Sequence, residues 1–168
     1  MPNPRHPRAD ALPESTRRTL PMTLLRAREL VMLRFRPMLV RHGITEQQWR
    51  VLRVLGDEGP LGATEVAERA SILGPSLTRI IKTLEQRAMI TARRLPEDGR
   101  RVSLEIAQRG EAVLKSAREE RLDIYGEFER RHGRAFLERA LDVLEDLIAG
   151  ELRDPPMEAD GTSADSAL

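Results

Sequence analysis

Apolar residues recur every three or four positions along most of this chain, and this pattern predicts helices. A long amphipathic helix is expected over residues 19–42, followed by Gly43 as a typical C-terminal residue. Pro37 inside this helix predicts a kink. A second helix is expected to begin at Thr45, because Thr45 and Gln48 have the spacing of a capping box.

Two shorter helices follow. Residues 63–70, ATEVAERA, predict a third helix with Thr64 as its N-cap. In residues 71–88, Gly74 and Pro75 suit the N-cap and the first position of a fourth helix. Its apolar positions have helical spacing and comprise Leu77, Ile80, Ile81 and Leu84.

The pattern changes to alternation in the middle of the chain and then returns to helix. Residues 90–94 and 102–106 predict two strands, with LPEDG as the turn between them. Helical patterns follow from Gln108 to Arg131 and from Arg134 to Leu152. The expected fold class is therefore mainly α with a small antiparallel β-hairpin, without a βαβ unit or a parallel sheet for a nucleotide.

The amino-acid composition limits which cellular compartment and which class of protein are expected. The 168 residues include no cysteine, which excludes disulfides and thiolate chemistry. The N-terminal residues have proline and charge where a secretory signal needs an apolar run, and no stretch is apolar enough to span a membrane. A cytoplasmic protein is expected, with residues 1–16 and 153–168 as disordered tails because both lack periodicity.

The net charge is +1, but basic and acidic residues are unevenly distributed along the chain. From Arg5 to Arg53 there are eleven arginines against four acidic residues, a balance of +7, and residues 74–102 have a balance of +4. Residues 119–154 have six arginines against eleven acidic residues, a balance of −5. Such segregation favours a module that faces a polyanion. None of the five aromatic residues lies in the basic middle segment, which disfavours base stacking and favours duplex DNA.

The third and fourth helices with the hairpin have the order of a winged helix-turn-helix. If the apolar positions of the fourth helix face the core, its exposed face holds Ser76, Thr78, Arg79, Lys82 and Thr83. Hydroxyl groups and cations can bond base edges and phosphates. An ordinary solvated helix face is the alternative for this helix alone, but the basic hairpin beside it favours DNA binding.

The run GITEQQWRVLRVLGDEGPLGATEVAERASILGPSLTRIIKTLEQRAMITARRLPEDGRRVSLEIAQRGEAVL resembles the core of a MarR-type transcriptional regulator. The resemblance covers about residues 20 to 150. Its most specific parts are LTRIIKTLEQRAMI and PEDGRRVSL, followed by a helix start of the form A-x-x-G. The segment RRTLPMTLLRARELVMLRFRPML with TEQQWRVLRVL resembles more narrowly the regulators of homoprotocatechuate degradation operons.

The resemblance implies one domain over residues 17–152 in a homodimer, with residues 45–106 as the DNA-binding lobe and residues 19–42 and 108–152 as dimerisation helices. It implies that Arg100 enters the minor groove, oriented by Asp98 and supported by Arg101. Major-groove contacts are expected from Pro75, Ser76, Thr78 and Arg79, with Lys82 on the same face. Gly74 departs from the Ser or Thr usual in such regulators, so a phosphate contact would be lost there.

Family members often release DNA when a small aromatic acid binds, which needs a cation for the carboxylate and apolar walls for the ring. Arg18 or Arg26 is the expected carboxylate anchor, and solvated or ion-paired arginines are the alternative. The complete set of candidates for this site is Arg18, Pro21, Met22, Leu25, Arg26, His42, Trp49 and Arg50.

An enzyme is disfavoured, because the three histidines are far apart and no Gly-rich phosphate loop is present. No cofactor, catalytic residue or metal site is therefore expected. The predicted function is a DNA-binding repressor that recognises a pseudo-palindromic operator and responds to a ligand. Two alternatives stay open: a winged-helix module that binds protein, and a DNA-binding regulator without a small-molecule effector.

Overall fold

The computed structural model describes residues 18–95 and 98–153, and the side chains of residues 94–101 are outside this description. The predicted tails also lie outside it, except that Arg153 is the last residue of a helix. The chain divides after Ile124 into two compact units. In chain order the elements are α1 (Leu20–Arg41), α2 (Glu46–Glu58), β1 (Leu61–Gly62), α3 (Ala63–Arg69), α4 (Gly74–Gln86), β2 (Ile90–Leu95), β3 (Asp98–Ile106), α5 (Gln108–Ser116), α6 (Arg118–His132) and α7 (Arg134–Arg153).

Local chemistry sets the junction of α1 and α2 as the sequence predicts. Gly43 has φ +63°, a left-handed conformation that suits glycine, and its N–H donates to the Val40 carbonyl at 3.0 Å. The Thr45 hydroxyl accepts from the Gln48 amide at 3.2 Å, and Gln48 Oε1 accepts from the Thr45 amide at 3.0 Å. This completes the predicted capping box. Helix α1 continues through Pro37.

The sheet has a third strand that the sequence pattern does not reveal. Strand β1 pairs antiparallel with β3, so that Leu61 faces Leu104 and Gly62 faces Ser103. Two residues are too few to show alternation. The strand also moves the start of α3: Gly62, not Thr64, is the N-cap, and its N–H donates to Glu65 Oε2 at 2.8 Å.

Two further helix boundaries differ from the predictions. Helix α4 begins at Gly74 with Leu73 as its N-cap, one residue earlier than expected. The helical pattern predicted over residues 108–131 is two helices, because Ala117 has ψ −4° and ends α5. Ala117 is fully buried.

The core of the first unit holds α4 against α2 and the sheet. Helix α4 buries Leu77, Ile80 and Leu84, whereas Ile81 is half-buried. Each fully buried leucine contributes about 1.5–3 kcal/mol relative to an exposed one. Among the core positions of the other elements are Val51, Leu52 and Leu55 of α2, Val66 of α3, Ile90 of β2 and Leu104 of β3. The arrangement is a helix-turn-helix followed by a β-wing, which confirms the predicted fold class.

Candidate nucleic-acid interface

Helix α4 presents a polar face to solvent on the side opposite its buried leucines. The residues predicted to contact the major groove are all exposed, namely Pro75, Ser76, Thr78, Arg79 and Lys82. The Thr78 hydroxyl donates to the Gly74 carbonyl at 3.3 Å, so its oxygen can still accept a hydrogen bond. The face therefore offers hydroxyl groups and two cations on one rigid element.

The N-terminus of α4 suits an anion. The N-cap residue Leu73 makes no side-chain cap, and the first turn contains no acidic residue. The backbone amides there carry the positive end of the helix dipole. A methyl group added at Gly74 would meet no atom within 4 Å, so the position is open to solvent. A phosphate can approach this backbone closely.

Arg50 of α2 fixes the turn that leads into α4. Its Nη1 donates to the carbonyl oxygens of Ala70 at 2.6 Å and of Ser71 at 2.9 Å. Burial lowers the pKa of Arg50, with the nearby charge of Arg28 acting in the same direction. The sequence pattern groups Arg50 with the ligand candidates and does not reveal this contact. Nothing in the local sequence signals it, because the partners lie twenty residues away.

The C-terminal end of α4 is also joined to α2. Arg87 is its C-cap residue, and Arg87 Nη1 donates to Gln48 Oε1 at 3.5 Å. Gln48 is buried and at the same time closes the capping box of α2. Helix α2 therefore contacts both the turn that precedes α4 and the C-cap residue of α4.

Strands β2 and β3 form the wing beside α4. Their register pairs Ile90 with Ile106 and Arg93 with Ser103, and a bulge occurs between Arg94 and Leu95. Arg93 is exposed. The backbones of Asp98, Arg100 and Arg101 belong to β3, but their side chains lie outside the described residues. Their predicted roles in the minor groove therefore stay predictions.

The eight ligand candidates fall into three places in the chain. Arg18 precedes α1, whereas Pro21, Met22, Leu25 and Arg26 lie in its first two turns, and all five residues are exposed. His42 lies sixteen residues beyond Arg26, about 24 Å away at 1.5 Å per helical residue. His42 Nε2 is 2.9 Å from Glu120 Oε1, and its Nδ1 is 3.3 Å from Ser116 Oγ. Trp49 and Arg50 lie in the first turns of α2 and are half-buried.

An ion-pair network connects α1 to the start of α2. Arg28 Nη2 lies 2.6 Å from Glu46 Oε2, and Arg36 Nε lies 2.8 Å from Glu46 Oε1. Glu29 contacts both arginines from within α1, at 2.7 Å and 2.5 Å. The hydrogen bond from Arg36 lowers the pKa of Glu46. The first turn of α2, one turn before Arg50, is therefore attached to the long N-terminal helix.

The described residues contain no helix that is long and apolar enough to cross a membrane. Among the side chains of residues 18–93 and 102–153, no three histidines or carboxylates are grouped so that they could hold a metal ion.

Comparison with known proteins gives consistent matches over this region. The sequence profile described as the MarR family matches residues 44–102. The HTH-type transcriptional regulator FarR of Neisseria gonorrhoeae is 37% identical over 136 residues, which cover 81% of this chain and 90% of that protein. The homoprotocatechuate degradative operon repressor of Escherichia coli is 32% identical, over 78% of this chain and 88% of its own length. The crystal structure of NadR in complex with 4-hydroxyphenylacetate matches with a TM-score of 0.73 and 34% identity, over 80% of this chain and 98% of the other.

Proposed function

This chain belongs to the MarR family of transcriptional regulators, and we propose that it is a homodimeric repressor that binds a pseudo-palindromic duplex operator. The observation that carries the proposal is the exposed polar face of α4, whose uncapped N-terminus lies ahead of a basic hairpin in the chain. A helix of this kind lies in the major groove, and a wing reaches the adjacent minor groove.

In this proposal, residues 45–106 form the DNA-binding lobe of a single domain over residues 17–152. Ser76, Thr78 and Arg79 contact base edges and phosphates, while Pro75 and Lys82 lie on the same exposed face. Arg100 enters the minor groove, with Asp98 orienting it and Arg101 beside it, as the resemblance to the family implies. Arginine suits this place because a narrow minor groove has an enhanced negative potential.

The dimer in this proposal is supported by apolar side chains that each unit leaves in solvent. Helix α1 exposes Leu20, Leu25 and Leu30, at 52–64% of their surface. Helix α7 buries none of its residues and exposes Phe136, Leu141 and Ile148 at 51–58%. Exposed apolar faces of this size are typical of protein interfaces. Helices within residues 19–42 and 108–152 would therefore form the dimer.

The DNA-binding proposal can be tested without knowledge of the operator. A random duplex library is selected with the purified protein, and affinity for the enriched sequence is measured by fluorescence anisotropy over a range of salt concentrations. We expect an inverted repeat and an affinity that falls steeply with salt, because phosphate contacts release counterions. Absence of an enriched repeat, or an affinity independent of salt, would contradict the proposal.

A matched pair of arginine variants tests the wing. Arg100→Ala should weaken binding to the selected duplex at least 10-fold. Arg153→Ala removes the same charge from the end of α7, where Arg153 Nε donates to the Ala149 carbonyl, and should leave binding unchanged. Equal affinities for the two variants would remove the wing from the mechanism.

We further propose that an aromatic carboxylate releases the DNA and that the regulated genes serve aromatic catabolism. The names of two relatives support this, since one is a homoprotocatechuate operon repressor and the other was crystallised with 4-hydroxyphenylacetate. Arg50 already donates to two carbonyls, so Arg18 or Arg26 would hold the carboxylate, beside Pro21, Met22 and Leu25.

The effector test titrates the protein–DNA complex with 4-hydroxyphenylacetate, 3,4-dihydroxyphenylacetate and salicylate, and measures anisotropy. Trp49 is the only tryptophan, so its fluorescence reports binding near the start of α2. If none of the three acids releases DNA or changes this fluorescence, the proposed release by an aromatic carboxylate is contradicted, and the regulator without a small-molecule effector is the better reading.

A further inference from the structure

The α3–α4 turn is an unusual piece of backbone, because Ser71 has φ +50° without being glycine. A side chain at positive φ strains the backbone, and such a conformation persists only where surrounding contacts hold it. The buried side chains of Ala70 and Ile72 hold the turn on either side of Ser71. The turn leads within three residues to Gly74, where α4 begins.

Arg50 supplies the polar contact that this turn needs. The carbonyl groups of Ala70 and Ser71 follow the last residue of α3, where a helix leaves acceptors without intrahelical partners. One guanidinium nitrogen of Arg50 bonds both, at 2.6 Å and 2.9 Å. These two bonds join the backbone of the turn to α2.

Burying the guanidinium group of Arg50 carries a desolvation cost that stability alone does not explain. Its Nε is buried and, among the described residues, has no hydrogen-bond partner. A partly buried charge bears a desolvation penalty that an apolar side chain of similar size does not have. The contact is therefore better explained by the geometry that it sets than by the energy that it contributes.

The position of Arg50 connects this turn to the rest of the molecule. One turn earlier on α2, Glu46 pairs with Arg28 and Arg36 of α1. Between them, Gln48 accepts from Arg87 at the far end of α4. A small rotation of α2 would thus act on the turn before α4 and on the C-terminal end of α4.

We propose that Arg50 is a positioning residue of the DNA interface, which holds the α3–α4 turn and thereby sets how the N-terminus of α4 enters the major groove. The inference rests on the proposed function. In this proposal, Arg50 does not itself contact DNA. Arg50 sets the orientation of Ser76, Thr78 and Arg79 and does not change the number of positive charges that face the phosphates.

The test compares Arg50→Met and Arg50→Lys with the control Arg53→Met. Arg53 lies three residues further along α2 and pairs with Asp57 at 2.5 Å. Affinity is measured for the duplex selected by the wild-type protein and for a scrambled duplex of the same composition. We expect Arg50→Met to bind the selected duplex at least 10-fold more weakly and the scrambled duplex within twofold of wild type. Arg50→Lys should lie between, since its ammonium group keeps the charge and can donate to both carbonyls, but its side chain is one bond shorter than that of arginine.

Hydrogen exchange of residues 70–76 in the free protein gives a readout that does not depend on DNA. Arg50→Met should accelerate exchange there and leave residues 46–58 unchanged, whereas Arg53→Met should change neither. Wild-type exchange together with wild-type affinity for the selected duplex would overturn the inference. An equal loss of affinity for both duplexes would also overturn it, because that result indicates lost charge or lost folding. If the wild-type protein selects no duplex, the proposed function fails, while the exchange measurement still decides whether Arg50 holds the turn.

Discussion

Replacing Gly110 with alanine would place a methyl group where α5 packs against the base of the wing. Gly110 is buried in the first turn of α5. The added Cβ would lie 2.3 Å from the Met89 carbonyl oxygen, 2.8 Å from Ile106 Cγ1 and 3.2 Å from Leu52 Cδ2. Ordinary van der Waals separations begin at about 3.5 Å, so the backbone at Met89 would have to withdraw by roughly 1 Å.

That withdrawal is opposed by a hydrogen bond. The Met89 carbonyl accepts from the Ala107 amide at 2.9 Å, which fixes the start of β2 against the residue that precedes α5. Forcing an extra methyl group into a packed site costs about 1–3 kcal/mol, occasionally more. Alanine recovers about 1 kcal/mol through its higher helix propensity. Because the added methyl group meets a fixed backbone atom, we expect a cost at the upper end of that range of about 1–3 kcal/mol. After the gain in helix propensity is subtracted, Gly110→Ala should lower the free energy of unfolding by about 2 kcal/mol.

Thermal unfolding followed by circular dichroism, at one protein concentration, measures this effect. For a chain of this size, about 2 kcal/mol lowers the melting temperature by roughly 4–8 °C. Two other glycines serve as controls. A Cβ at Gly150 of α7 meets no atom within 4 Å, so Gly150→Ala should stabilise by about 0.5–1 kcal/mol.

Gly56 is the intermediate case, because its Cβ would meet Leu114 Cδ1 at 2.6 Å, the tip of a flexible side chain. We expect Gly56→Ala to cost less than Gly110→Ala. If Gly110→Ala melts at or above the wild-type temperature, the close approach of α5 to Met89 is wrong. The glycine in the A-x-x-G helix start would then have no steric explanation.

Three further predictions concern the cap of α2, its ion pairs and the face of α4. Thr45→Ala removes the hydroxyl that accepts from the Gln48 amide and should cost about 1 kcal/mol in urea unfolding, whereas an unchanged midpoint would deny the cap any role. The pKa of Glu46 is lower in the folded protein than its unfolded value near 4.5, so the ionised carboxylate stabilises the fold. This contribution to the free energy of unfolding is complete above the unfolded pKa and is lost as the pH falls through the folded pKa. Glu46→Gln should therefore lose less stability than wild type as the pH falls below the unfolded value near 4.5, and equal acid sensitivity would refute this. Arg79→Ala should weaken binding to the selected duplex and reduce the slope of log affinity against log salt by about 1 if Arg79 contacts a phosphate; an unchanged slope would exclude that contact.

Features that depend on residues only three or four positions apart were predictable from the sequence. The capping box of Thr45 and Gln48, the left-handed Gly43 and the apolar positions of α4 all follow from spacings of three or four residues. The exposed set on α4 follows in turn, because burying Leu77, Ile80 and Leu84 fixes which side of the helix faces solvent. The exception is Thr83, which was predicted to be exposed and is half-buried. The family could be inferred from the sequence for the same reason, since its most specific segments are local motifs.

Contacts between distant segments were decided only by the tertiary structure. Strand β1 is two residues long and exists because β3 offers it a partner some forty residues later. The role of Arg50 depends on two carbonyl groups twenty residues away, and a carbonyl group has no signature in the sequence. The close approach at Gly110 depends in the same way on where the Met89 carbonyl lies. Sequence periodicity determines which face of each element is buried, whereas the hydrogen bonds and backbone contacts that orient one element against another arise only when the chain is folded.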